Sequence, residues 1–170
     1  MPKFAVARLP AIAAVLGLAL ALGACAKNPS ESDALNGAYG AGAGGGPGSY
    51  QEFSSAAVGD RVFFDTDQTD VSERAQATLD KQAAWLNRYG RYNFTVEGHA
   101  DERGTREYNF ALGSRRAESV KNYLISKGVA PSRIRTISYG KERPVATCDD
   151  ISCWSQNRRA VTVLNGAPGS

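Results

Sequence analysis

Residues 98–117 read GHADERGTREYNFALGSRRA, and they change character twice. Gly98 and His99 close a segment in which Tyr92, Phe94 and Val96 alternate with Asn93, Thr95 and Glu97. That period of two marks a strand with one buried face. Thr105 then suits the N-cap of a helix in which Tyr108, Leu112, Val120 and Leu124 recur at helical spacing. Between strand and helix, or in the first turns of the helix, lie Asp101, Glu102, Arg103, Arg106, Arg115 and Arg116, beside the single histidine, His99. Such crowding of both charge signs suits a ligand that is itself zwitterionic.

Working outward, Val62, Phe63 and Phe64 read as a short strand. Ala75, Leu79, Ala83 and Leu86 form the apolar stripe of a helix, capped by Asp70 or Ser72 and stopped near Gly90; Asp70 with Glu73 matches a capping box. The second helix ends at Lys127-Gly128, with Pro131 beyond. Residues 133–139 and 159–164 are two further strands, with a cysteine-bearing loop between them. The order βαβαββ predicts an α/β (α+β) two-layer domain, a mixed four-stranded sheet covered by two helices. Residues 53–170 are enough for one domain and not for two.

The N-terminus gives an address. Lys3 and Arg8 precede an uncharged apolar run, residues 9–22, that is too short to span a bilayer, which takes about 20 residues. Residues 1–24 therefore read as an export signal. Leu22-Gly23-Ala24-Cys25 resembles the lipobox of bacterial lipoproteins, which makes Cys25 the lipidation site and mature N-terminus. Each acyl chain contributes about 0.8 kcal/mol per buried CH₂, and two membrane signals suffice for a stable anchor. By the same resemblance, Ala26 after the cysteine implies sorting to the outer membrane. Residues 25–52 show no hydrophobic period, and residues 37–48 hold seven glycines in twelve positions. They read as a flexible tether of root-mean-square span about 25–30 Å, stretching to roughly 85 Å.

Without Lys3 and Arg8 the chain carries 18 basic and 17 acidic residues, so nothing recommends nucleic acid or an acidic surface as a partner. Cys148 and Cys153 remain as an even pair in an oxidising compartment. A disulfide between them closes a loop of about six residues, worth roughly 2 kcal/mol. Free thiols are the alternative; a metal pair lacks partners, since one histidine cannot complete a site.

The stretches GHADERGTREYNFALGSRRAESVKNYL (98–124), SYGKERP (138–144) and NRRAV (157–161) resemble the C-terminal domain family of outer-membrane protein A over about residues 60–164. The lipobox and tether match the layout of its lipid-anchored members. The resemblance implies non-covalent binding of peptidoglycan through the diaminopimelate of its stem peptide, whose far end bears an ammonium and a carboxylate on one carbon. Carried over by motif, Asp101 takes the ammonium and Arg116 the carboxylate, with Arg103 a second guanidinium in the loop. Asp67, in the FDTD stretch, lines the same pocket; Leu112 gives an apolar wall and Asn109 hydrogen bonds to the loop. Arg115 is expected in solvent. Arg158 and Arg159 are read as either a partner surface or a solvated pair.

Arg116 lies about 15 Å along the helix axis from Arg106. One ligand can therefore meet both Asp101 and Arg116 only if the 100–105 loop folds back along the helix. The resemblance departs at Ala100, where family members commonly have threonine, and at the two cysteines, which are expected to lie away from the site as local reinforcement.

The implied partners are TolB and other Tol proteins, in a role supporting envelope integrity and constriction at division. The alternatives are a static wall tether without Tol partners, and a wall hydrolase. Against the hydrolase, no serine or cysteine nucleophile sits in a motif context, so His99 reads as a structural residue at the strand end. No cofactor is implied.

Overall fold

The computed structural model describes residues 45–166. The signal, Cys25 and most of the tether lie outside the described residues. The elements are α1 (Tyr50–Ser54), β1 (Arg61–Phe63), α2 (Glu73–Arg88), β2 (Phe94–His99), α3 (Arg106–Ser126), a 3-10 turn (Pro131–Arg133), β3 (Ile134–Gly140), α4 (Ile151–Asn157) and β4 (Arg159–Leu164). The strands form one mixed sheet in the order β1-β4-β2-β3. β4 runs antiparallel to both neighbours, whereas β2 and β3, joined through α3, are parallel.

Alternation decides which residues enter the core. Phe94, Val96, Ala160 and Leu164 are buried under the helices, while Thr95, Glu97, Val161 and Val163 are half-buried on the opposite face. Leu79, Leu86, Phe94, Leu124 and Leu164 are fully buried, each burial stabilising by about 1.5–3 kcal/mol. Gln82, inside this layer, is satisfied on both sides: its amide donates to Gly59 O at 2.7 Å and accepts from Thr162 Oγ1 at 2.8 Å. Arg133 donates to the carbonyls of Leu86, Tyr89 and Tyr92, satisfying the C-terminal end of α2 with a cation.

The helix starts follow cap chemistry. Ser72 Oγ accepts from Ala75 N at 3.3 Å and Thr105 Oγ1 from Tyr108 N at 3.2 Å. The α2 cap is therefore Ser72 and not Asp70, and Glu73 occupies the first helical position instead of closing a capping box.

Two elements depart from the expected six. α1 falls where the tether was expected to end: Phe53 is fully buried against Trp85, ring centroids 4.9 Å apart. Glu52 Oε2 accepts from Gly48 N at 2.6 Å and Trp85 Nε1 at 2.8 Å. A five-residue helix with one apolar anchor has no period to read, so the folded head begins before residue 53. The second addition is α4, capped by Asp150 and carrying the Cys148–Cys153 disulfide. It occupies what read as a loop, because its seven residues are mostly polar.

Candidate functional site

Two glycines bring the end of β2 onto α3. A Cβ at Gly98 would stand 1.8 Å from Gly113 O, and one at Gly113 would stand 2.4 Å from Ser138 Oγ, so neither position admits a side chain without backbone movement. Strand and helix thus cross at the level of Gly113 and Arg116. The 100–105 loop then returns along the helix to its N-cap. His99 O lies against Arg116 Nη1 at 2.8 Å, and Arg103 O accepts from Asn109 Nδ2 at 2.6 Å. Lys141 holds the other side of the loop, donating to Glu102 O and Gly104 O at 3.1 and 2.6 Å.

The loop and the turn after β1 enclose a hollow of about 240 Å³ lined by Thr66, Asp67, Asp101, Arg103, Gly104 and Tyr108. Asp67 adopts a left-handed backbone, φ 56°, and accepts from the Tyr108 hydroxyl at 3.1 Å. Asp101, only 7% exposed, is the buried charge at the wall. Its Oδ1 accepts from Arg103 N and Nε, both at 3.2 Å, and its Oδ2 from Arg103 Nη2 at 2.7 Å and Arg158 Nη1 at 3.3 Å. Burial is the largest single influence and by itself would raise the Asp101 pKa. The hydrogen bonds and charge of Arg103, with Arg158, outweigh it and hold the carboxyl below its ordinary value. A larger hollow of about 360 Å³ lies beside Phe110 and Tyr139. Its Arg106 and Glu142 are exposed and paired with each other at 2.9 Å.

Arg116 differs from expectation. Its guanidinium is fully buried and does not line the hollow. It donates to Gln68 O at 2.9 Å, His99 O at 2.8 Å and Asp65 O at 3.1 Å, so it ties the β1–α2 turn to the end of β2. Burial, then the charge of Arg158, lower its pKa to about 10, against the opposing pull of Asp101 and Asp67; it remains a cation at neutral pH. Leu112 and Asn109 are likewise buried and stand off the hollow surface. Of the residues expected there, the structure brings together Asp67, Asp101 and Arg103.

Arg158 and Arg159 are each 5% exposed, and so are not a solvated pair. Arg158 bonds Phe64 O and Asp101, while Arg159 reaches Asn157 O and Arg143 O. Strand alternation could have put these neighbours on opposite faces, but not their acceptors. The cysteine segment also lies at the site and not away from it. Trp154, next to Cys153, donates its indole N–H to Glu102 Oε1, and its ring lies 4.2 Å from the Arg103 guanidinium. A lone tryptophan in a polar segment was the available signal. Arg115 is exposed.

His99 is 1% exposed and stacks on Tyr139 at 5.6 Å. Neither ring nitrogen has a hydrogen-bond partner, and Glu97 Oε2, 3.6 Å away, is too distant to be one. Burial first, then the charges of Arg159 and Arg143, push its pKa down to about 3, so it is neutral. Among the described residues no group of three or more His, Cys, Asp or Glu could hold a metal ion.

The OmpA family model matches residues 63–158. The chain belongs to the OmpA family. It is 60% identical over 165 residues to the peptidoglycan-associated lipoprotein of Rhizobium meliloti, covering 95% of this chain and 91% of that one. The protein of the same name from Pseudomonas putida is 42% identical, covering 86% and 91%. The crystal structure of the peptidoglycan-associated lipoprotein from Burkholderia pseudomallei superposes with a TM-score of 0.60 at 42% identity, over 62% of this chain and 89% of that chain. The C-terminal domain of Helicobacter pylori MotB shares the fold at 22% identity, TM-score 0.59, over 64% and 86%.

Proposed function

We propose that this chain holds the outer membrane to the cell wall by gripping the zwitterionic end of the stem-peptide diaminopimelate. The carrying observation is the hollow in which the Asp67 and Asp101 carboxylates stand beside the Arg103 guanidinium. The names of relatives at up to 61% identity support the choice of peptidoglycan. An ammonium meets the two carboxylates, and the neighbouring carboxylate meets Arg103 by charge-assisted, bidentate hydrogen bonds. Arg116 organises the turn and loop that form the walls and adds a buried positive charge behind them, and Asn109 holds the loop from the helix side through Arg103 O. Residues 1–24 are removed, Cys25 carries the lipid, and the glycine-rich stretch gives the head its reach. TolB and other Tol proteins are the working partners, in envelope integrity and constriction.

Co-sedimentation of the full chain with purified peptidoglycan tests this reading. Wild type pellets with the wall and releases no soluble muropeptide, whereas Asp67→Asn and Arg103→Ala, both at exposed positions, stay in the supernatant. Wild-type pelleting by both variants overturns the assignment, and muropeptide release points to a hydrolase. Capture of TolB in a crosslinked pull-down tests the Tol role.

A further inference from the structure

The disulfide-bearing segment does more than close a loop. α4 has seven residues, too few to persist alone. Three devices hold it. Asp150 Oδ1 accepts from Ser152 N at 2.7 Å. Asn157, 1% exposed, accepts from Val145 N and Ala146 N at 2.9 and 3.2 Å and donates to Ala146 O at 2.8 Å. The disulfide links exposed Cys148 to Cys153 in the middle of the helix, Cα atoms 5.6 Å apart.

From this frame two side chains reach the binding loop. Trp154 holds Glu102 through its indole N–H and lies against Arg103; Arg158, whose N–H bonds Trp154 O at 3.0 Å, reaches Asp101. Arg103 is the member of the hollow with most to lose from disorder. Its side chain is 41% exposed, and fixing an exposed arginine on a ligand costs rotamer entropy. Stacking on Trp154 removes part of that cost beforehand.

We propose that the Cys148–Cys153 disulfide sets the geometry of the ligand loop, and so the affinity for the wall, with Trp154 as the positioning residue that transmits it to Arg103. The proposal rests on the reading of the hollow as the stem-peptide site. Reduction by an external dithiol such as dithiothreitol passes two electrons and two protons to the bridge, leaving two protein thiols and an oxidised reagent, and frees the helix from its staple.

The test uses the purified full chain and two readouts. One is hydrogen exchange at the Arg103 amide, which bonds Asp101 Oδ1 at 3.2 Å, with the Leu124 amide as a core reference. The other is calorimetric titration with a soluble muropeptide bearing diaminopimelate. Reduction, the Cys148→Ser/Cys153→Ser pair and Trp154→Ala should each speed Arg103 exchange and weaken binding by about tenfold, with Leu124 unchanged. The triple variant should be no weaker than Trp154→Ala, because the disulfide acts through that residue. Trp154→Phe, which keeps a stacking ring, should recover most of the affinity. Unchanged Arg103 exchange, multiplying losses in the triple variant, or equal acceleration at Leu124 would each overturn the proposal. If oxidised wild type fails to bind the muropeptide, the reading of the hollow falls, while the exchange result still decides the positioning role.

Discussion

Arg116→Lys separates an arginine that organises the site from one that only lends it charge. The guanidinium serves three carbonyls from two segments, Asp65 and Gln68 in the β1–α2 turn and His99 at the end of β2, over 2.8–3.1 Å. A lysine ammonium keeps the charge, but its three N–H groups radiate from one nitrogen and cannot serve acceptors that face Nε, Nη1 and Nη2 separately, so about two charged hydrogen bonds are lost. Such bonds contribute about 1.5–3 kcal/mol each. The carbonyls of Asp65 and Gln68 are at the part-buried edge and recover some hydration, whereas the bond to His99 O is buried. The expected loss is therefore about 2–4 kcal/mol, a fall of roughly 10 °C in Tm for a domain of this size. Urea denaturation gives the stability, and sedimentation with peptidoglycan gives the binding. Both should fall in Arg116→Lys, and stability should be kept in Arg103→Lys. A stable, wall-binding Arg116→Lys protein would refute the organising role.

Three further outcomes follow from the geometry. The His99 pKa of about 3 lies below the ordinary 6.5, so the unfolded chain takes up the proton first and stability falls as pH drops below 6.5. Between pH 7 and pH 5, wild type should lose about 2 kcal/mol that His99→Phe does not lose. The charges of Arg143, Arg159 and Glu97 around the ring are common to both proteins, and parallel urea curves would contradict the assignment. Gly98→Ala, which must displace the Gly113 carbonyl, should cost at least about 3 kcal/mol, and an unchanged Tm would show that the strand–helix crossing is looser than described. Arg103→Ala should leave Tm within a few degrees, since the side chain is 41% exposed and Asp101 keeps its bond to Arg158; a large fall would make Arg103 structural.

The legible part of the fold was the part with a period. β2 alternates over Phe94–His99 and β4 over Arg159–Leu164, and α2 and α3 carry stripes wide enough to read and caps to place them. α1 and α4 have one turn or two, so their burial depends on Phe53 in the first and on Cys153 and Asn157 in the second, which no local pattern announces. At the site, the charged loop announced itself by composition, and Asp67, Asp101 and Arg103 meet where motif resemblance put them. Arg116, given the ligand carboxylate by motif resemblance, is instead buried on three backbone carbonyls, which a motif match does not reveal. Arg158 and Trp154 came from a segment remote in sequence, which only the antiparallel return of β4 beside β2 brings to the loop.

Calorimetric titration of the full chain with two stem peptides, identical except that lysine replaces diaminopimelate in one, is the most direct test of the zwitterion grip. Lysine keeps an ammonium but lacks the carboxylate on the same carbon, leaving Arg103 with Asp101 alone and no ligand carboxylate. The diaminopimelate peptide is expected to bind more tightly by roughly 1.5–3 kcal/mol, the range of a charged hydrogen bond. Equal affinities for the two peptides would contradict the account.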